Sequence, residues 1–166
     1  MTIPVTAGPY GLLPAGRHAC TVDELEQHFV VSAPFPDERR QIFDAFRVWA
    51  RAVGDLLPGA RCWVDGGFVT HKTWAAPRDV DVVVFTTAEV LDALPESDQQ
   101  LLMSMMTQHS SGIARVQPMA GLVDGFLGLR DDADRTIYWR NLWSGVKDVD
   151  GSKVDAVQKG FLEVTL

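Results

Sequence analysis

The segment Cys62–Thr86, CWVDGGFVTHKTWAAPRDVDVVVFT, constrains the fold more than any other part of the chain. Val80–Phe85 is β-branched and almost continuously apolar, the signature of a strand buried on both faces. Cys62–Asp65 is short and part apolar and is bounded by Gly66–Gly67, which predicts a strand ending in a tight turn. Asp79 and Asp81 stand at i and i+2 where the second strand begins. On a strand both carboxylates point to one face, while Val80, Val82 and Val84 point to the other.

Two carboxylates roughly 7 Å apart repel unless something positive lies between them. A divalent cation resolves that repulsion, and hard oxygen ligands suit Mg²⁺ or Mn²⁺. The glycine pair fits the same chemistry. A turn without side chains lets the backbone approach a ligand and aim N–H groups at phosphate oxygens. A phosphate cradle beside paired carboxylates is the equipment of metal-assisted phosphoryl or nucleotidyl transfer. Taken alone, Asp79 also reads as a turn residue after Pro77-Arg78, and Asp81 as a solvated edge position. An Asp-x-Asp pair also begins haloacid-dehalogenase-like sites, but there the apolar strand precedes the aspartates and here it follows them.

Gly66-Gly67, a short connector and Asp79-Val80-Asp81 together resemble the signature of the polymerase-β-like nucleotidyltransferase superfamily. DGGFVTHKTWAAPRDVDVVVF is similar, more narrowly, to a bacterial and phage branch near the AbiEii-type toxins. The leader GLLPAGRHACTVDELEQHFV and the closing KGFLEVTL resemble that branch too. Gly67 departs from it, standing where many members carry serine. The resemblance implies an α+β fold, a mixed β-sheet flanked by helices in a single domain. It implies transfer of NMP from an NTP to an RNA (tRNA-like) or protein acceptor, in phage defence or a toxin–antitoxin system with an antitoxin-like protein partner. Asp79 and Asp81 would bridge Mg²⁺ or Mn²⁺, and Gly66 and Gly67 would hold the β- and γ-phosphates. Lys72 and Arg78 would neutralise triphosphate charge, and Thr70 could replace the missing serine hydroxyl. The same fold supplies a third, metal-binding carboxylate from a neighbouring strand. Asp124 fits, since it lies inside the apolar run Gly121–Leu129, where an unpaired charge is costly. A catalytically weak nucleotide- or partner-binding module on the same fold is the alternative.

With 166 residues, 46% hydrophobic and 22% charged, the chain suits one domain with a buried core. No apolar run approaches a membrane span, and the N-terminus has neither a basic nor an apolar signal region. Cys20 and Cys62 are too few for a disulfide framework, so a cytoplasmic setting is expected. A net charge of −7 argues against broad, charge-driven nucleic-acid binding.

Along the chain, residues 1–20 read as an extended lead-in. Thr21 and Glu24 form a capping box for a helix from Val22 to about Phe29. A long helix is expected over Asp37–Leu57, with Arg39, Arg40, Arg47 and Arg51 off its apolar stripe. Those arginines read as a solvated face or as a basic strip for an acceptor. Further helices are expected from Thr87, over Ser97–His109, and over Thr136–Val146, where Tyr138, Trp139 and Trp143 pack on the sheet or offer a stacking platform. Strands are expected at Gly112–Val116, Gly121–Leu129 and Gly160–Leu166. Asp148–Asp155 fails an EF-hand test: Gly151 falls two places early, and Lys159 stands where glutamate is needed.

Overall fold

A computed structural model of the chain describes residues 3–110 and 112–166. Its centre is a five-stranded sheet formed by β1 (Gly16–Ala19), β2 (Arg61–Asp65), β3 (Val80–Thr86), β6 (Val123–Leu129) and β9 (Gly160–Thr165). The spatial order is β1-β9-β2-β3-β6. β1 runs parallel to β9 and β3 parallel to β6, while β2 is antiparallel to both neighbours. Two small hairpins lie outside the sheet: β4 (Gln108–Ser110) with β5 (Ile113–Val116), and β7 (Val146–Lys147) with β8 (Lys153–Val154). The mixed sheet with helices on its faces is the coarse architecture expected.

β3 sits inside the sheet because Val80, Val82, Val83, Val84 and Phe85 are all buried. Each contributes roughly 1.5–3 kcal/mol of apolar burial. Val82 and Val84 share a face with Val64 and Cys62 of β2. The long helix α2 (Pro36–Leu56) joins that face in one core through Ile42, Phe43, Phe46, Trp49 and Val53. Pro36 opens α2 in its first turn, where a missing N–H costs nothing. The other face carries Trp63, Val83, Phe85 and Phe161, packed against Trp139 and Trp143 of α5 (Ala133–Trp143). Asp132 caps α5 by accepting from the Arg135 N–H at 2.9 Å. The remaining helices are short: α1 (Val22–Glu26), α3 (Ala88–Ala93) and α4 (Glu96–Ser104).

Several expectations need correction. The lead-in is not merely extended: residues 16–19 form the edge strand β1, and Leu12 bridges to Thr70. Both halves of the Thr21–Glu24 capping box form, but α1 continues as a π-turn over Gln27–Val31. Arg39 is fully buried rather than solvated, since its guanidinium serves backbone carbonyls. The helix expected to reach His109 ends at Ser104, because the Thr107 N–H bonds Gly125 O at 2.8 Å and the chain enters β4. Of the apolar residues expected to face inward from this stretch, Leu102 and Met106 are buried and Met105 packs against the core, while Leu101 is exposed. β6 starts at Val123, after a 3₁₀ turn over Met119–Gly121. Among the described residues no helix is long and apolar enough to cross a membrane.

Candidate functional site

Register places three carboxylates side by side. Asp65 ends β2 opposite Asp81 of β3, and Asp81 is level with Asp124 of β6. Partners in register share a sheet face. Neighbouring strands lie about 4.8 Å apart, so the outer two carboxylates stand roughly 10 Å from each other. Each outer carboxylate has a cation of its own. Lys159 Nζ donates to Asp65 Oδ1 at 2.8 Å, and both side chains are buried. Arg115 pairs with Asp124 Oδ2, while the Thr107 hydroxyl donates to Asp124 Oδ1 at 2.7 Å. Asp79, just before β3, accepts from Gln117 Nε2 at 2.9 Å. No group among the described residues donates to the central Asp81.

The glycine pair opens a 3₁₀ turn, Gly66–Val69, directly after β2. Gly66 has φ +80°, and a Cβ there would lie 1.8 Å from Asp81 Oδ2. Only glycine lets the turn pass over that carboxylate. Gly67 has an ordinary φ, and a Cβ there would meet Lys72 Nζ at 3.3 Å, with Lys72 Cε and Pro77 Cβ at ordinary contact distance. The Thr70 hydroxyl donates back to Gly67 O at 2.8 Å, which closes the turn. Beneath the turn, Arg39 donates to Phe68 O at 2.7 Å and Thr70 O at 2.6 Å. It also donates to Phe29 O at 3.0 Å and Pro34 O at 2.6 Å. One guanidinium therefore ties the turn to the segment between α1 and α2.

These groups border one cleft of about 680 Å³, a volume suited to a small-molecule ligand. All eight residues singled out in the sequence line it: Gly66, Gly67, Thr70, Lys72, Arg78, Asp79, Asp81 and Asp124. Tyr138, Trp139 and Phe126 form an aromatic wall, and Tyr10 and Trp74 meet edge to face at 5.8 Å on the rim. Burial pushes the Asp65 carboxyl up to about 6, with the Lys159 ammonium pulling it down. Burial, and then the neighbouring Asp79 charge, raise Asp81. Lys72 is lowered by burial first and then by the charges of Arg39, Lys159 and Arg78.

Among the described residues no three His, Cys, Asp or Glu side chains converge as a complete metal cage. Asp79 and Asp81 nonetheless fit Mg²⁺ or Mn²⁺, which take one or two carboxylates and fill the shell with water and phosphate oxygens. Sequence reasoning missed Asp65, Thr107, Arg115, Gln117 and Lys159. Asp65 adjoins the glycine pair, and that adjacency was the one signal available. The other four reach the site from remote segments with no motif of their own.

No curated protein and no solved structure matches the chain. A family model described only as a family of unknown function, DUF6932, matches residues 5–165, and the chain belongs to that family.

Proposed function

We propose that the protein is a metal-dependent nucleotidyltransferase that passes an NMP unit from an NTP to an acceptor on RNA or protein. The observation that carries the reading is the placement of Asp81 beside Asp79, beneath the Gly66–Gly67 turn, in a cleft edged with cations. Asp79 and Asp81 would hold Mg²⁺ or Mn²⁺, which when bound supplies charge neutralisation at the phosphates and a Lewis acid for the acceptor oxygen. The Gly66 and Gly67 amides would orient the β- and γ-phosphates, with Lys72 and Arg78 balancing their charge. The Thr70 hydroxyl serves by holding the turn rather than by replacing a serine contact, since it is committed to Gly67 O. Asp124 lies on the opposite side of Asp81 from Asp65, and with Arg115 it would face the acceptor.

The test is incubation with each α-³²P-labelled NTP and Mg²⁺ or Mn²⁺ in cell lysate, comparing wild type with Asp79→Asn/Asp81→Asn. Label entering RNA or protein with wild type alone supports transfer and reads out the acceptor class. Equal label with the double variant sinks the assignment. A nucleotide-binding module without transfer is the second reading. It is favoured by Gly67, which offers no hydroxyl, and by Asp124, both of whose oxygens are engaged. Metal-dependent NTP binding with no label in any fraction would select it.

A further inference from the structure

Three carboxylates stand in a row, yet their charges are not equal. Asp65 is neutralised by Lys159, which also donates to Gly66 O at 3.1 Å. Asp124 is closed off by Arg115 on one oxygen and Thr107 on the other. Among the described residues no side chain donates to the Asp81 carboxylate, and Asp79 beside it accepts from the neutral amide of Gln117. We infer that Lys159 and Arg115 are built-in counter-cations that confine divalent-cation binding in the nucleotide-free protein to one ion, at Asp79–Asp81.

The inference rests on the metal-site reading above and adds to it a stoichiometry and two positioning residues. Like charges on adjacent strands destabilise one another, so a row of three carboxylates needs cations at its flanks. Here those cations are covalently part of the chain, and the central pair, reached by the charges of Lys159, Arg115 and Lys147, has no ion pair of its own among the described residues. The two flanks differ in how far they can give way. The Lys159 side chain is 8% exposed and is fixed by Asp65 and Gly66, whereas Arg115 is 41% exposed and sits on the β5 hairpin strand. Arg115 is therefore the displaceable member, and it guards a latent second position at Asp124. Its guanidinium also lies 5.5 Å over the Phe126 ring, which gives it a second reason to hold its place until the cleft fills.

The test uses the full chain and Mn²⁺ alone, with bound ion counted by electron paramagnetic resonance and folding checked by circular dichroism. Wild type should bind one Mn²⁺. Asp81→Asn should weaken that site by more than about tenfold, in line with the loss of a metal-coordinating group. Arg115→Gln, at a partly exposed side chain, should raise the count to two by freeing Asp124. Arg115→Gln combined with Asp124→Asn should return it to one. Two ions on wild type, or an unchanged count in Arg115→Gln, overturns the inference while leaving the metal site standing. No Mn²⁺ on any variant overturns both.

Discussion

At the scale of single residues the two glycines of the turn have different jobs. Gly66 is required twice over, by its positive φ and by Asp81 Oδ2 against the position a Cβ would take. Gly66→Ala should therefore displace the Asp81 carboxylate or the turn. We expect a stability loss of about 1–3 kcal/mol from the strained backbone, together with loss of Mn²⁺ binding. Gly67→Ser should be tolerated within about 1 kcal/mol, because the one tight contact of its Cβ is the flexible end of Lys72 and Pro77 lies at ordinary van der Waals distance. Urea titration and Mn²⁺ binding of the two variants side by side check this contrast. Equal damage at both positions would refute it. This asymmetry was not legible in the sequence, where the pair reads as one motif. It arises because β2 and β3 bring Asp81 under the first glycine and not the second. The residue types of the site were legible, since carboxylates at i, i+2 and a side-chain-free turn carry their chemistry locally. The partners were not. Lys159 reaches Asp65 across 94 positions of chain, and no local pattern encodes that contact.

At the scale of elements, the strands and the long helix follow from their apolar periodicity, and the departures come from tertiary bonds overriding it. Arg39 shows this best. Helical spacing sets it beside the apolar stripe of α2, and charge alone suggests solvent. The fold instead needs a donor for carbonyls that the π-turn and the Gly66–Val69 turn leave without helical partners. Burial lowers the Arg39 pKa to about 10, so it remains a cation at neutral pH. Arg39→Met would strand Phe29 O, Phe68 O and Thr70 O in the interior. Each unsatisfied buried carbonyl costs about 1–3 kcal/mol, so the variant should lose about 3 kcal/mol or more. Lysine cannot reproduce the planar fork, and Arg39→Lys should recover only part of that loss. Chemical denaturation of the two variants measures the effect, and a loss below about 1 kcal/mol in Arg39→Met would remove the staple role. β6 carries a related constraint, since a Cβ on Gly125 would sit 2.9 Å from the Trp49 ring.

At the scale of the whole molecule, charge is distributed against the average. The chain carries −7 overall, yet the cleft is lined by Lys72, Arg78, Arg115, Lys147 and Lys159 against Asp65, Asp79, Asp81 and Asp124, five cations to four carboxylates. The cleft is therefore close to neutral while the rest of the surface is acidic, so an anion meets less repulsion there than elsewhere. The same concentration of charged groups gives the protein a distinctive response to pH. Asp65 titrates near 6 in the fold and near 3.9 when unfolded, so between those values the folded state holds the extra proton. Its contribution to stability is complete below about pH 4 and is lost as pH rises through about 6. Asp81, also raised, acts in the same direction. His28 and His71, stacked 5.0 Å apart, act in the opposite one. Burial lowers both imidazoles, so their contribution is complete above about pH 6.5 and is lost as pH falls through their folded values. In wild type the two trends offset each other across mildly acidic pH. Asp65→Asn removes one of them, so the variant's melting temperature, taken relative to wild type, should rise between pH 4.5 and pH 7.5. Mn²⁺ should raise the melting temperature of both proteins more at pH 7.5 than at pH 4.5, because the cation selects the ionised forms of Asp79 and Asp81. Thermal melts at pH 4.5, 6 and 7.5, with and without Mn²⁺, separate the contributions. A variant-to-wild-type difference that stays constant across pH would mean that Lys159 holds Asp65 ionised throughout and would remove the pH linkage assigned to it.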